Sequence, residues 1–350
     1  MRIWHNLDMA IIKKVVKGTI ATTAAVSLLN FGRKNHLRAS VPISPQTNGH
    51  ALVLGSGGML GAAWMASSLN YLESNKIWKP EDDDLRIGTS AGSLLAALLG
   101  GGVTSSDLIE ILAKGYHKKE DFIITLPNSP SRDKIPISPS DPTYLFRSIL
   151  KGRSPHLGII VSSLFPEGEE PNFQIEDFVN KIVSNEWSST PTWVIATEVK
   201  SGLRKIFNNQ SDVSLGRAVA ASCAVPALYA PVLIKSKKYI DGGTISCHNL
   251  DVAVRSGAKS ITLLTPISGY TKISLNSGVS RALNQFTRNT EQFSMNQIVR
   301  KLPSDIKLRI VSPGKESRKI LSKYSLMDTE KLASLLDVAS NEIPEITEIS

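Results

Sequence analysis

The pentapeptide Gly88-Thr89-Ser90-Ala91-Gly92 constrains this chain more than any other feature, because of what stands on either side of it. Leu85-Arg86-Ile87 before it is a short strand-like run, and Leu94 to Leu99 after it is an apolar helix. A G-x-S-x-G in that context predicts a sharp turn whose small neighbours lift the serine hydroxyl clear of a sheet. The helix that follows directs its N-terminal amides and positive dipole end at developing negative charge. The same order occurs just upstream: Ala51-Leu52-Val53-Leu54 runs into a glycine cluster, and residues 59–73 carry apolar side chains at helical spacing. Strand-like runs recur at Thr192 to Thr197, Lys205 to Phe207, Lys238 to Ile240 and Ser260 to Thr265. Strands alternating with helices predict an α/β fold, a three-layer α/β/α sandwich around a central, mostly parallel sheet covered on both faces.

At 350 residues with 41% hydrophobic and 20% charged, the chain is long enough to bury a large core. Two cysteines, Cys223 and Cys247, make no disulfide framework and no multi-cysteine zinc site, which fits a reducing, cytoplasmic setting. The formal charge of +9 is uneven: residues 1–50 hold seven Lys/Arg and one acid, or +6, leaving +3 for the other 300. Nucleic-acid binding by the body is therefore not expected. Within residues 9–38, the longest uncharged stretch runs from Gly18 to Gly32, too short and too mild to span a bilayer. Two readings of this tail stand side by side. One is a basic, partly amphipathic helix in peripheral contact with an anionic membrane, through Lys13, Lys14, Lys17, Arg33, Lys34 and Arg38; the other is a solvated extension. Ser40 to His50 reads as a linker. The proline-rich region Tyr116 to Pro171 reads as an irregular excursion that caps a site. A polar helix from about Val279 to Arg300, the apolar run Ile306 to Val311 and a helix from Asp328 to Asn341 continue the alternation.

Ser90 is the candidate nucleophile, set against a glycine-rich turn with a helix-capping serine. A serine needs a base. Of six histidines, only His248 lies where a triad histidine could, but seven residues after Asp241 is short for side chains from separate sheet-end loops; a polar helix start is the plainer reading. Asp241 ends a strand in Tyr239-Ile240-Asp241-Gly242-Gly243, either as an ordinary Asp-Gly-Gly turn or as a base meeting Ser90 directly in a water-poor pocket. Gly55-Ser56-Gly57-Gly58-Met59-Leu60-Gly61 leads from a strand into a helix. It misses the dinucleotide register, which would need glycine at Leu60, and fits an oxyanion hole better.

Glycine loop, then G-x-S-x-G, then Asp-Gly-Gly on a late strand: this order resembles the patatin-like phospholipases, a family of Ser-Asp dyad lipid acyl hydrolases. The resemblance covers about Ala51 to Val254 and is reinforced by Ala196-Thr197-Glu198-Val199-Lys200-Ser201-Gly202 and Ala220-Ala221-Ser222-Cys223-Ala224-Val225-Pro226. It implies a 1–50 extension and linker, a 51–254 catalytic domain and a 255–350 continuation of that domain. It further implies Ser90 as nucleophile, Asp241 as base and backbone donors at Gly57, Gly58 and Ala91. The motif glycines would be Gly55, Gly61, Gly88, Gly92, Gly242 and Gly243. The expected substrate is a lipid or phospholipid ester, with no metal and no cofactor. The family's loop usually reads Gly-Gly-Gly-x-Arg/Lys-Gly; here Ser56 replaces the first glycine and Leu60 stands at the basic position. A weakly active or inactive lipid-binding protein on the same fold is therefore the second reading, and a nucleotide-binding oxidoreductase, motivated by the glycine loop alone, the third. Trp64 and Met65 are candidates for an acyl groove wall or for core packing.

Overall fold

The computed structural model describes residues 47–119, 122–125, 172–184, 187–226, 228–267, 291–292 and 294–350. The basic tail 9–38, most of the excursion within 116–171 and the first part of the helix expected from 279 lie outside them.

The elements run β1 (His50–Leu54), α1 (Gly58–Ser74), β2 (Asp83–Thr89), α2 (Ala91–Gly100), α3 (Ser105–Lys114), β3 (Tyr116–Lys119) and β4 (Phe122–Thr125). After these come α4 (Phe173–Val183), β5 (Thr192–Glu198), β6 (Arg204–Phe207), α5 (Leu215–Ser222), β7 (Val232–Ile234) and β8 (Lys237–Asp241). The chain closes with α6 (Leu250–Arg255), β9 (Ser260–Leu264), β10 (Lys307–Ser312), α7 (Lys315–Lys323), α8 (Leu332–Asn341) and β11 (Glu345–Ile349). The main sheet is ordered β11-β10-β9-β1-β2-β5-β8-β7, with β6 also on β5. From β10 to β5 it is parallel, and β11, β6, β8 and β7 are antiparallel. The start of the region expected to be irregular is instead the two-stranded antiparallel pair β3–β4.

The alternation along β1 sorts its side chains into two cores. Leu52 and Leu54 pack with α1, α2, α4, α5 and α8, whereas Ala51 and Val53 face α6 and the helical segment that carries Met295. All four are completely buried, as a central parallel strand covered on both faces requires. Trp64 and Met65 on α1 belong to the first core, at 1% and 0% exposure, so they pack rather than line a groove. Local chemistry sets some boundaries. Thr104 opens α3 with a capping box, its hydroxyl accepting from the Asp107 N–H while Asp107 accepts from the Thr104 N–H, both at 3.1 Å. Among the described residues no helix is long and apolar enough to cross a membrane.

One topological detail positions the site. β5 pairs with β2 from Thr192 to Ile195, and β8 pairs with β5 from Ala196 to Glu198 while β6 occupies the other edge over Val194 to Thr197. β8 therefore takes over the edge that β2 leaves, running toward it from the opposite direction. The C-terminal residue of each strand, Thr89 and Asp241, is delivered to the same place beside β5.

Candidate active site

Ser90 sits between β2 and α2 with φ 54° and ψ −125°. A non-glycine residue in that region carries strain of about 1–3 kcal/mol and persists only where its surroundings over-determine it. Those surroundings are visible. The Ser90 N–H donates to Ser222 Oγ (2.9 Å), and Ser222 Oγ donates in turn to the Ile195 carbonyl (2.6 Å). Ser93 Oγ donates to the Ser90 carbonyl at 2.7 Å. One residue earlier, Asn249 Nδ2 donates to Thr89 Oγ1 at 2.9 Å. Gly92 lies so close to β1 that any Cβ would collide with the Leu54 carbonyl, which accounts for the last glycine of the pentapeptide. Gly88, the first, packs against Ser93 of α2.

Asp241 is 5% exposed. Its carboxylate accepts from the Gly243 N–H (2.7 Å) and has the Ser90 side chain as its other polar neighbour, and its own N–H donates to the Ala224 carbonyl (2.9 Å). Both of these neighbours are neutral, so burial dominates and raises its pKa from 3.8 to about 6. Cys223 beside it is a buried thiol whose pKa is pushed up, by burial first and by the Asp241 charge second. The segment from Ser222 to Ala224 thus holds both members of the pair, one residue at the serine amide and one at the aspartate amide. Gly242 follows Asp241 in a tight turn against Ile195.

The glycine loop reaches the same end of the sheet. Gly55 N–H donates to the Leu264 carbonyl (3.0 Å) and Ser56 N–H to the Cys247 carbonyl (2.8 Å), anchoring the loop on both sides. Gly61 N–H closes the first turn of α1 onto the Gly57 carbonyl at 2.8 Å. Gly58 has φ 57°, and its missing side chain makes room for the Leu326 carbonyl and the Met327 sulfur. The N–H groups of Gly57, Gly58 and Ala91 have no acceptor among the described residues, as expected at the first turns of α1 and α2. Leu60, at the position where the family pattern has a cation, is 0% exposed in the first core, with its N–H on the Leu326 carbonyl (3.0 Å). The departure is a packing change: a charge there would have no solvent. Ser56 Oγ is buried without a hydrogen-bond partner among the described residues, and a Cβ on Gly243 would lie 2.5 Å from it and 3.0 Å from Asp241 Oδ1.

His248 is not brought to the pair. Its Nδ1 accepts the Leu250 N–H (3.1 Å) at the start of α6, and its Nε2 faces Glu291 at 3.4 Å. It serves as a polar helix start, and the geometry forms no triad with it. Glu291 carries a role that no spacing suggests: it accepts from the Cys247 N–H (2.7 Å) and Ser246 Oγ (3.1 Å). The Cys247 carbonyl in turn accepts from Ser56, so Glu291 braces the entry to the glycine loop. Burial raises its pKa to about 7, opposed by those hydrogen bonds and by Arg204. Ser222 and Asn249 are likewise supports that sequence reasoning does not single out; of the two, only Ser222 lies in a segment that carries the family resemblance.

The family model of patatin-like phospholipases matches residues 52–254, more than half of the chain. The chain belongs to the patatin-like phospholipase family. Membership places it among lipid hydrolases by descent, and the matched span contains the elbow, the glycine loop and Asp241. Among solved structures, this patatin-like chain is similar to VipD from Legionella pneumophila at 13% identity and TM-score 0.37. The match covers 86% of this chain and 68% of that one. It is also similar to the type III effector protein ExoU at 15% identity and TM-score 0.32, over 87% of this chain and 56% of that one. No curated protein matches it.

Proposed function

We propose that this protein hydrolyses fatty-acyl ester bonds of lipids or phospholipids through a Ser90/Asp241 dyad and an acyl-enzyme. Asp241 accepts the Ser90 proton as Oγ attacks the ester carbonyl carbon. The Gly57, Gly58 and Ala91 amides hold the oxyanion of the tetrahedral intermediate. As that intermediate collapses, Asp241 returns the proton to the departing alcohol. Water then attacks the acyl-serine, giving its proton to Asp241, and the fatty acid leaves with Ser90 regenerated. The observation that carries this reading is the juxtaposition of a strained, buried serine with a buried carboxylate whose polar neighbours are neutral, so that its pKa is raised to about 6. Each feature costs stability, and each is what a base and nucleophile need.

Residues 51–254 and 255–350 are read as one catalytic unit, because the Leu326 carbonyl bonds Leu60 beside the glycine loop. Two buried thiols that form no disulfide support a reducing, cytoplasmic setting. The tail 9–38 is proposed as a peripheral membrane contact. A lipid-binding protein without turnover is the second reading, motivated by the uncharged loop at Leu60. The test is hydrolysis of p-nitrophenyl esters and of phospholipid by wild type, Ser90→Ala and Asp241→Asn, with folding followed by circular dichroism. The dyad predicts activity in wild type alone; folded wild type inactive across chain lengths and head groups supports the second reading.

A further inference from the structure

We propose that the β5–β6 and β7–β8 hairpins form a docking edge for an anionic lipid surface. The choice of partner rests on the lipid-hydrolase reading above.

The geometry starts from the switch at β5. From Asp241 back to Lys237 is four residues of strand, about 13 Å at the usual rise. The β7–β8 tip therefore stands beyond the C-terminal edge of the parallel strands, on the side where Ser90 lies. Lys235, at φ 54°, makes that tip, and Lys237 and Lys238 follow it, all three exposed. The β5–β6 turn adds exposed Lys200, and Lys205 on β6 holds its ammonium 5.5 Å from the centre of the Phe207 ring. Among the described residues, Glu198 pairs with Lys237 at 2.9 Å and Asp212 with Lys235 at 3.0 Å. Five lysines thus gather on one edge of a body, residues 51–350, whose net charge is only +3. Crowding is felt among them: the Lys205 pKa is lowered, by burial first and then by Lys237. An anion placed there relieves that repulsion.

The apolar side chains decide between kinds of anion. Leu233, on β7, is 52% exposed, and Phe173, at the start of α4, is 57% exposed; both are large hydrophobics in contact with solvent. They belong to one corner. Arg217 joins Glu176 of α4 (2.8 Å) to the Leu233 carbonyl (2.8 Å), and Phe173 is one turn from Glu176 on the same helix face. Lysines flanking exposed Leu and Phe fit the boundary between anionic head groups and acyl chains. A polyphosphate chain would use the charge and leave the apolar pair in water.

The experiment is co-sedimentation of the full chain, in the Ser90→Ala form so that no lipid is consumed. The vesicles are phosphatidylcholine alone or with about one-third phosphatidylserine. Binding is expected with phosphatidylserine only, and is expected to weaken steeply with salt. Replacing Lys235, Lys237 and Lys238 together by alanine is expected to weaken it by about 10²-fold, near fivefold per lysine. Leu233→Ser is expected to weaken it independently of salt. Circular dichroism confirms that each variant is folded. Vesicle binding that is absent, or equal in the lysine variant and its parent, overturns the docking edge; tighter binding to duplex DNA than to vesicles does too. Failure of the hydrolase reading is detected separately, as absence of wild-type turnover on soluble short-chain esters.

Discussion

Two buried aspartates stand at opposite ends of the site's strands. Asp83 begins β2 and Asp241 ends β8, at 6% and 5% exposure. Asp83 is surrounded by donors, one of them a full charge. Arg86 Nε (2.8 Å), Trp78 Nε1 (2.8 Å) and His50 Nδ1 (3.2 Å) all meet its carboxylate. Asp241 has the Ser90 side chain and the Gly243 amide, both neutral. Equal burial with unequal compensation separates a carboxylate that pairs with a buried cation from one that, in the proposed dyad, takes the serine proton. The same replacement, aspartate to asparagine, should therefore have opposite consequences at the two positions.

The largest effect is expected on turnover. Ser90→Ala removes the proposed nucleophile and is expected to abolish ester hydrolysis. Asp241→Asn is expected to lower kcat by about 10²–10⁴-fold with the fold retained, as loss of a general base does. Steady-state assays on esters read both. In wild type, kcat/KM is expected to fall about tenfold per pH unit below about 6, because in the proposed dyad only the ionised Asp241 accepts the proton.

Stability comes next, and here the two aspartates diverge in sign. Asp83→Asn leaves the Arg86 guanidinium buried without its carboxylate, and denaturant unfolding is expected to report a loss of about 3–5 kcal/mol. Asp241→Asn is expected to stabilise. Its folded pKa, about 6, lies above the unfolded value of 3.8, so stability is highest below 3.8 and falls as pH rises to about 6. The deficit, about 2–3 kcal/mol, persists at neutral pH and is removed by the neutral asparagine. If Asp241→Asn destabilises at pH 7 as Asp83→Asn does, the contrast between the two sites is broken.

A smaller effect belongs to the support beneath Ser90. Ser222→Ala leaves the Ser90 N–H without its acceptor, with an expected cost of about 1–3 kcal/mol. The lowered kcat should come with a nearly unchanged KM, since the change acts on the elbow's geometry. Loss of stability with kcat intact would make Ser222 a packing residue only.

The parts of the site written in contiguous residues are legible in the amino-acid order itself. The β1-loop-α1 unit, the elbow and the strand ending in Asp241 each combine an apolar run with glycines whose missing side chains the backbone needs. The parts held by distant partners are not legible in this way. Glu291 reaches Cys247, Asn249 reaches Thr89 and Ser222 reaches Ser90 across the fold, and no spacing announces such bonds. Short helices hide for another reason. Ser105–Lys114 and Phe173–Val183 interleave apolar with charged residues, so their helicity shows in the face they bury rather than in a continuous apolar run. Against the family pattern Leu60 looks like a missing charge; its burial shows that the position has joined the core.

The most direct test of the dyad is the rate at which an alkyl fluorophosphonate modifies the full-length protein across pH, followed by intact mass and peptide mapping. The account predicts a single adduct on Ser90, forming half-maximally near pH 6 in wild type and at least about 10²-fold more slowly in folded Asp241→Asn. An adduct at another residue, or equal rates in the two proteins, would contradict it.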